Sequence, residues 1–351
     1  MGTTLAFAGL PELTRALVAG YHGAAGYHGP PELTVPRAFT EWTFDPWMTA
    51  LIVVLGAGYV AGVRRVADWP LARRVWFLGL GLGFFVIATM SFVGAYQPVL
   101  FWVRAVQTVL LVLLVPLFLA LGRPMTLFIA VFPVAGARLE AMIRSFPAKV
   151  ITFPAVTTFA LVGVPFVMYF TGWYTAVFHS GTVRELTFLA LLVPGYVFFW
   201  TLLRVDPVPK QYSYGVSMWI TGAEVIGDAF LGLAVIADQN LIGAAWYHAL
   251  ARPWGPSLQT DQILGGGVLW ILGDLVGLPF LAVQLIQLMR EDESDAARID
   301  AELDARDAEL VPAAGASGPH DRDGDEGQAQ PAEPRPWWEE DPRFTERFKS
   351  T

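Results

Sequence analysis

The sequence predicts an all-α integral membrane protein, a seven-transmembrane helix bundle with its N-terminus outside and its C-terminus cytoplasmic. Three observations predict it. Hydrophobic residues make up 54% of the 351 residues and charged residues only 15%, where an ordinary soluble domain carries roughly 25% charged residues. Seven apolar stretches approach the roughly 20 residues that cross a bilayer core about 30 Å thick. Arginine and lysine collect in every second connecting loop, the pattern that orients membrane helices.

The apolar stretches run over residues 46–63, 75–96, 98–122, 150–172, 186–203, 216–237 and 263–289. The first is the shortest, and Gly58 and Gly62 give it the GxxxG spacing of close helix packing. Residues 127–134 are apolar but too short to span, so an interfacial segment is expected there. Trp42, Trp47, Trp69, Tyr96, Trp173 and Tyr174 fall at predicted borders, where amphipathic rings anchor a helix. Basic residues follow the first span (Arg64, Arg65, Arg73, Arg74), the third (Arg123, Arg138, Arg144, Lys149), the fifth (Arg204, Lys210) and the seventh (Arg290). The intervening loops are poor: Gln97, then Arg184 alone, then Arg252 alone. This alternation sets the expected orientation and a plasma (inner) membrane location.

Four regions are expected. Residues 1–45 form an extracytoplasmic arm, rich in glycine and proline, with Tyr-His-Gly at Tyr21–Gly23 and again at Tyr27–Gly29. The start lacks a basic segment ahead of an apolar one and does not read as a cleaved signal peptide. Residues 46–289 form the transmembrane domain, 290–311 a charged cytoplasmic helix, and 312–351 a tail whose composition predicts disorder. Trp337 and Trp338 in that tail read as plain tail or as a docking motif. The net charge of −8 is local: from Arg290 onward there are 18 acidic and 8 basic residues, and before it 13 and 15. No basic stripe suggests nucleic-acid binding.

The chain has no cysteine, which excludes disulfides, thiolate metal sites and cysteine nucleophiles. The five histidines lie outside the long apolar runs, and His22 and His28 are weak candidate metal ligands in the arm. There is no phosphate-binding glycine loop before a lysine, no His-Glu-x-x-His, no Gly-x-Ser-x-Gly elbow, and no lysine in the last span for a retinal. Gly265, Gly266 and Gly267 open that span and favour close backbone approach over phosphate binding. No catalytic residues are assigned, and the chain does not read as an enzyme.

The functional signal is the set of polar residues inside spans, which are costly there and mark function or pairing. Arg104 lies in the third span, Glu224 and Asp228 in the sixth, Asp274 in the seventh, and Glu185 at the outer mouth of the fifth. At 1.5 Å per residue, Arg104 lies about 9 Å below the outer border, Asp228 about 13 Å, Asp274 about 16 Å and Glu224 about 20 Å. Glu224 and Asp228 share a helix face at i and i+4, as do Arg104, Gln107 and Thr108. The two faces are expected to meet, with at least one carboxyl neutral. Such a cluster is either a packing network or a site for an ion, a proton or a passing ligand.

Several pieces resemble, in order, the CtaG family of caa3-type cytochrome c oxidase assembly factors. They are Trp42–Trp47, Tyr59–Arg65 with Trp69-Pro70, Val115-Pro116-Leu117, Leu121-Gly122-Arg123-Pro124, Phe198–Trp200, Val205-Asp206-Pro207, then Asp261-Gln262 with Gly265–Gly267 and Trp270, and the charged Arg290–Asp304 helix. The resemblance covers residues 42–304. It implies a multi-pass protein that assembles the oxidase, with oxidase subunits as membrane partners and a link to copper delivery. Family members carry histidines at positions corresponding to Arg104 and Thr108, to Glu185 and Thr187, and to Asp228. Imidazole is a good copper ligand and arginine is not one. The expectation is a divergent member in which an ion-pair network, Arg104 with Asp228 and Glu185, replaced the metal site. The alternatives are a small ion, proton or metal transporter built on the Arg–carboxylate cluster, and a purely structural membrane subunit.

Overall fold

The computed structural model describes residues 27–210 and 212–315. The first Tyr-His-Gly, His22, the starting segment weighed as a signal peptide, the tail beyond residue 315 and its Trp337 and Trp338 lie outside the described residues. Contacts divide the chain into two units, Met1–Asp292 and Glu293–Thr351. The first holds the bundle. In the second, the described residues are helical.

Thirteen helices follow in chain order among the described residues. A short α1 (Val35–Thr40) leads to α2 (Pro46–Val63). Asp45 caps α2, accepting from the backbone N–H of Trp47 and Met48, and Pro46 sits at the first helical position, where a missing N–H costs nothing. Then come α3 (Leu71–Tyr96), α4 (residues 101–121), α5 (Pro124–Val131), α6 (Pro133–Ile143) and α7 (Phe146–Ile151). They are followed by α8 (Pro154–Phe170), α9 (Trp173–His179), α10 (Gly181–Leu203), α11 (Tyr214–Ala237), α12 (Ala244–Leu250) and α13 (Leu258–Gly315).

Among the described residues six helices are long and apolar enough to span a membrane, and a seventh span results if α8 and α9, bent by 71°, count as one. The fourth span is therefore not the straight 150–172 helix expected. It starts at Pro154 and breaks at Thr171-Gly172, and the short α7 precedes it. The fifth begins at Gly181 and not at 186, so Glu185 lies within the first turns of α10. The seventh begins at Leu258 and not at 263. Of the apolar 127–134 segment, residues 127–131 are helical in α5, which a left-handed Arg123 (φ 54°) sets off from α4; Phe132 breaks the helix and 133–134 open α6.

The third span is the core. Of its most apolar stretch 67% is buried, against 17% for α2. It packs on α10 and on the first half of α3. Its middle, Leu110–Leu114, is π-helical. Pro116 lacks the N–H that would donate to Val112 and would crowd that carbonyl, which a widened turn relieves. On α2, Gly62 packs on the Leu127 side chain, whereas nothing packs closely on Gly58, so the expected GxxxG contact is half made. The Gly265–Gly267 run behaves as expected for close approach at two of three positions: Gly265 lies against Phe101, and Gly266 against Ile236 and the carbonyl of Gly232.

Candidate functional site

Arg104 is wholly buried on α4, the largest such side chain among the described residues. Its Nη1 donates to Gln97 Oε1 (2.9 Å) and to Gln107 Oε1 (2.8 Å), and its Nη2 approaches Met168 Sδ (3.6 Å). The guanidinium stands 6.0 Å from the centre of the Phe178 ring, within cation–π range. Nε has no partner. The partners come from the α3–α4 connection, α4 itself, α8 and α9. One cation thereby braces four segments.

Its neighbours are fixed in turn. Gln107 Nε2 donates to the carbonyl of Ala88 (2.7 Å), which settles the amide so that its oxygen faces Arg104. Thr108 Oγ1 donates to the Arg104 carbonyl (3.0 Å) and meets the Tyr169 hydroxyl (3.1 Å). The Tyr174 and Tyr247 hydroxyls lie 2.7 Å apart. Phe101 packs on Tyr169 and Tyr174 at 5.6 Å each and on Tyr247 at 6.5 Å. The result is a neutral cage of rings, hydroxyls, amides and a thioether around a positive charge.

The expected ion pair of Arg104 with Asp228 or Glu185 is not formed. Among the described residues no carboxylate lies within 4.0 Å of Arg104. Phe101 sits at the level of Gly265 and Asp228 at Gly273, about 12 Å further along α13. Glu185 belongs to a separate cluster, in which Arg184 Nη2 bridges Glu185 Oε1 (3.0 Å) and Asp45 Oδ2 (3.4 Å). Thr187 accepts from the Trp173 indole (2.7 Å) and donates to Val183, so it ties α9 to α10. A cavity of about 120 Å³ runs from Asp45 and Arg184 to the amides of Gln97 and Gln107.

The acidic residues gather separately. Glu224 and Asp228 stand one turn apart on the buried face of α11, against Gly277 and Gly273 of α13, with Asp274 next to the latter in sequence. The sequence face of Arg104, Gln107 and Thr108 is thus one site and the face of Glu224 and Asp228 another.

The motif residues brace the scaffold. Asp206 caps α5, accepting from Thr126 N (2.9 Å), Met125 N (3.3 Å) and the Thr126 hydroxyl. Burial nevertheless pushes its carboxyl above the usual aspartate range. The Pro207 carbonyl accepts from the Trp200 indole (3.1 Å). Asp261 accepts from Trp102 N at the start of α4 (3.0 Å) and pairs with buried Arg252 (3.2 Å). Gln262 accepts from Ile242 N (2.8 Å) and donates to the carbonyls of Val235, Asp238 and Asn240. Trp270 backs onto Gly232 of α11. His28 is exposed. Gln97, Met168, Phe178 and the three tyrosines were missed. The only signal in the sequence was that an arginine buried among apolar residues must find acceptors or rings.

The family model for the cytochrome c oxidase caa3 assembly factor matches residues 57–291. The chain belongs to the caa3 cytochrome c oxidase assembly factor family. Uncharacterised proteins of Mycobacterium bovis and Mycobacterium tuberculosis are each 33% identical to it over 300 residues, 81% of this chain and 45% of theirs. One of Mycobacterium leprae is 30% identical over 292 residues, 80% of this chain and 44% of its own. The chain thus spans about half the length of the curated relatives it matches. No solved structure matches. In this member of the family, the site around Arg104 offers copper a guanidinium, two amide oxygens, a thioether and hydroxyls. That donor set does not suit copper, because its centre is a fixed cation. Among the described residues no group of three or more histidines, cysteines or carboxylates is placed to hold a metal ion.

Proposed function

We propose that the chain is an accessory factor in the assembly of a caa3-type cytochrome c oxidase. It acts in the plasma membrane through contacts with oxidase subunits and catalyses no reaction. The observation that carries this reading is the family match across the bundle, residues 57–291. The motif residues Asp206, Asp261 and Gln262 support it as well, because they hold helix ends in fixed register, which a docking scaffold requires.

In this reading Arg104 takes over the bracing that a metal ion between helices would supply, and copper is not held inside the bundle. The loop charges support an outer N-terminal arm (residues 1–45) and a cytoplasmic charged helix (290–311) with its acidic tail (312–351).

A deletion strain tests the role. The haem–copper absorbance of the mature oxidase is expected to fall severalfold and to return with the full chain. Unchanged absorbance, with altered tolerance to ions or metals, would overturn it in favour of a transporter.

A further inference from the structure

The inward face of α11 changes character halfway along. Ser217, Thr221, Glu224 and Asp228 recur at helical spacing and are 0–7% exposed. They cover about 16 Å of helix. Leu231 and Val235 continue the same face and are equally buried, but apolar. At that end α11 and α13 close on each other through Gly232 and Gly266. The other end of the polar half is Ser217, where Arg204 Nη2 donates to Ser217 Oγ (2.9 Å).

The facing helix fits the row. A Cβ at Gly273 would stand 2.7 Å from Asp228 Oδ2, and one at Gly277 would stand 3.1 Å from Glu224 Oε2. Glycine at both positions gives the carboxyls their room. One turn towards the Arg204 end, Gln284 Nε2 donates to Thr221 Oγ1 (2.9 Å). Gln284 is 3% exposed, yet its Oε1 has no partner, and neither has Asp274 Oδ1. These buried acceptors along one track call for a donor. Two buried carboxyls one turn apart, with no cation within 4.0 Å among the described residues, favour sharing a proton over carrying two charges.

We propose that Glu224 and Asp228 form an intramembrane proton-binding site, reached by water along the Thr221–Gln284 row from the Arg204 end. A proton entering there turns a pair of carboxylates into a carboxyl–carboxylate pair, lowers the buried negative charge by one unit, and needs no co-reactant. Asp274 adjoins Gly273, which packs on Asp228, and no cation lies within 4.0 Å of Glu224 or Asp228 among the described residues. Proton pathways through membranes use carboxyls placed in this way. The row does not include Arg104 or the outer cavity, so proton binding and the assembly role can fail independently.

Infrared spectroscopy of the full chain in lipid tests it. At neutral pH the wild type is expected to show a protonated-carboxyl C=O band that shifts within minutes of transfer to D2O and is lost in Glu224→Gln/Asp228→Asn. In a second measurement that needs no variant, dicyclohexylcarbodiimide, an apolar reagent for protonated carboxyls, is expected to label Glu224 or Asp228 of the wild type at least tenfold more than Glu185. A missing band, a band that stays unshifted in D2O, a band retained in the double variant, or labelling confined to other carboxyls would overturn the proposal.

Discussion

Arg252→Leu is expected to cost about 3–5 kcal/mol of folding stability, because it removes one partner of a buried ion pair and strands the other. Both side chains are almost inaccessible, at 2% for Arg252 and 1% for Asp261, with Nη2 and Oδ2 3.2 Å apart. Asp261 also accepts from the Trp102 N–H at the start of α4, so an uncompensated carboxylate there would loosen the start of the core span. Arg252 further donates to the Pro256 carbonyl (2.9 Å) and stacks on Trp254 at 5.1 Å. Lysine lacks that fork and plane, so Arg252→Lys should recover only part of the loss. Denaturation in mixed micelles measures this. Arg138→Leu, at an exposed position, should stay within about 0.5 kcal/mol.

Arg104→Ala is expected to be nearly as damaging, and for a different reason. It deprives the Gln97 and Gln107 oxygens of their donor, at about 1–3 kcal/mol each. It also leaves a cavity inside the aromatic cage, which for large side chains cut to alanine costs about 2–5 kcal/mol. Relief from holding a cation without a carboxylate offsets several kcal/mol of this, so a net loss of about 3 kcal/mol is expected. Arg104→Met isolates the offset. It refills the volume and carries no charge, so it should restore most of the stability, in the same micelle denaturation, while removing the brace to Gln97. If Met behaved like Ala, the hydrogen bonds and not the volume would dominate.

These residues show how far the sequence could be read. Apolar runs and alternating basic loops located the spans, because lipid imposes length and loop charge directly on sequence. The bend between α8 and α9 and the π-helical stretch at Leu110–Leu114 were not legible, since both depend on neighbours in space and on a proline acting through the turn before it. Pairing was harder still. Counting charges set Arg104 against the acids, but an arginine can also be satisfied by amides, sulfur and ring faces, and these carry no charge to count. Gln97 read only as a loop residue, and Arg252 as a lone outer charge until the fold brought it to Asp261. The Glu224–Asp228 pair was legible because both residues share one helix, and helical spacing alone places them together.

In the proposed reading this family member keeps the helical scaffold and holds no copper within the bundle, where Arg104 sits in its neutral cage. The most direct measurement is the copper content of the purified chain, after loading and removal of loosely bound metal, with residues 1–45 deleted. Far less than one copper per chain is expected, unchanged by Thr108→Ala. One tightly held copper per chain, lost when Gln107, Thr108 or Met168 is replaced, would contradict it.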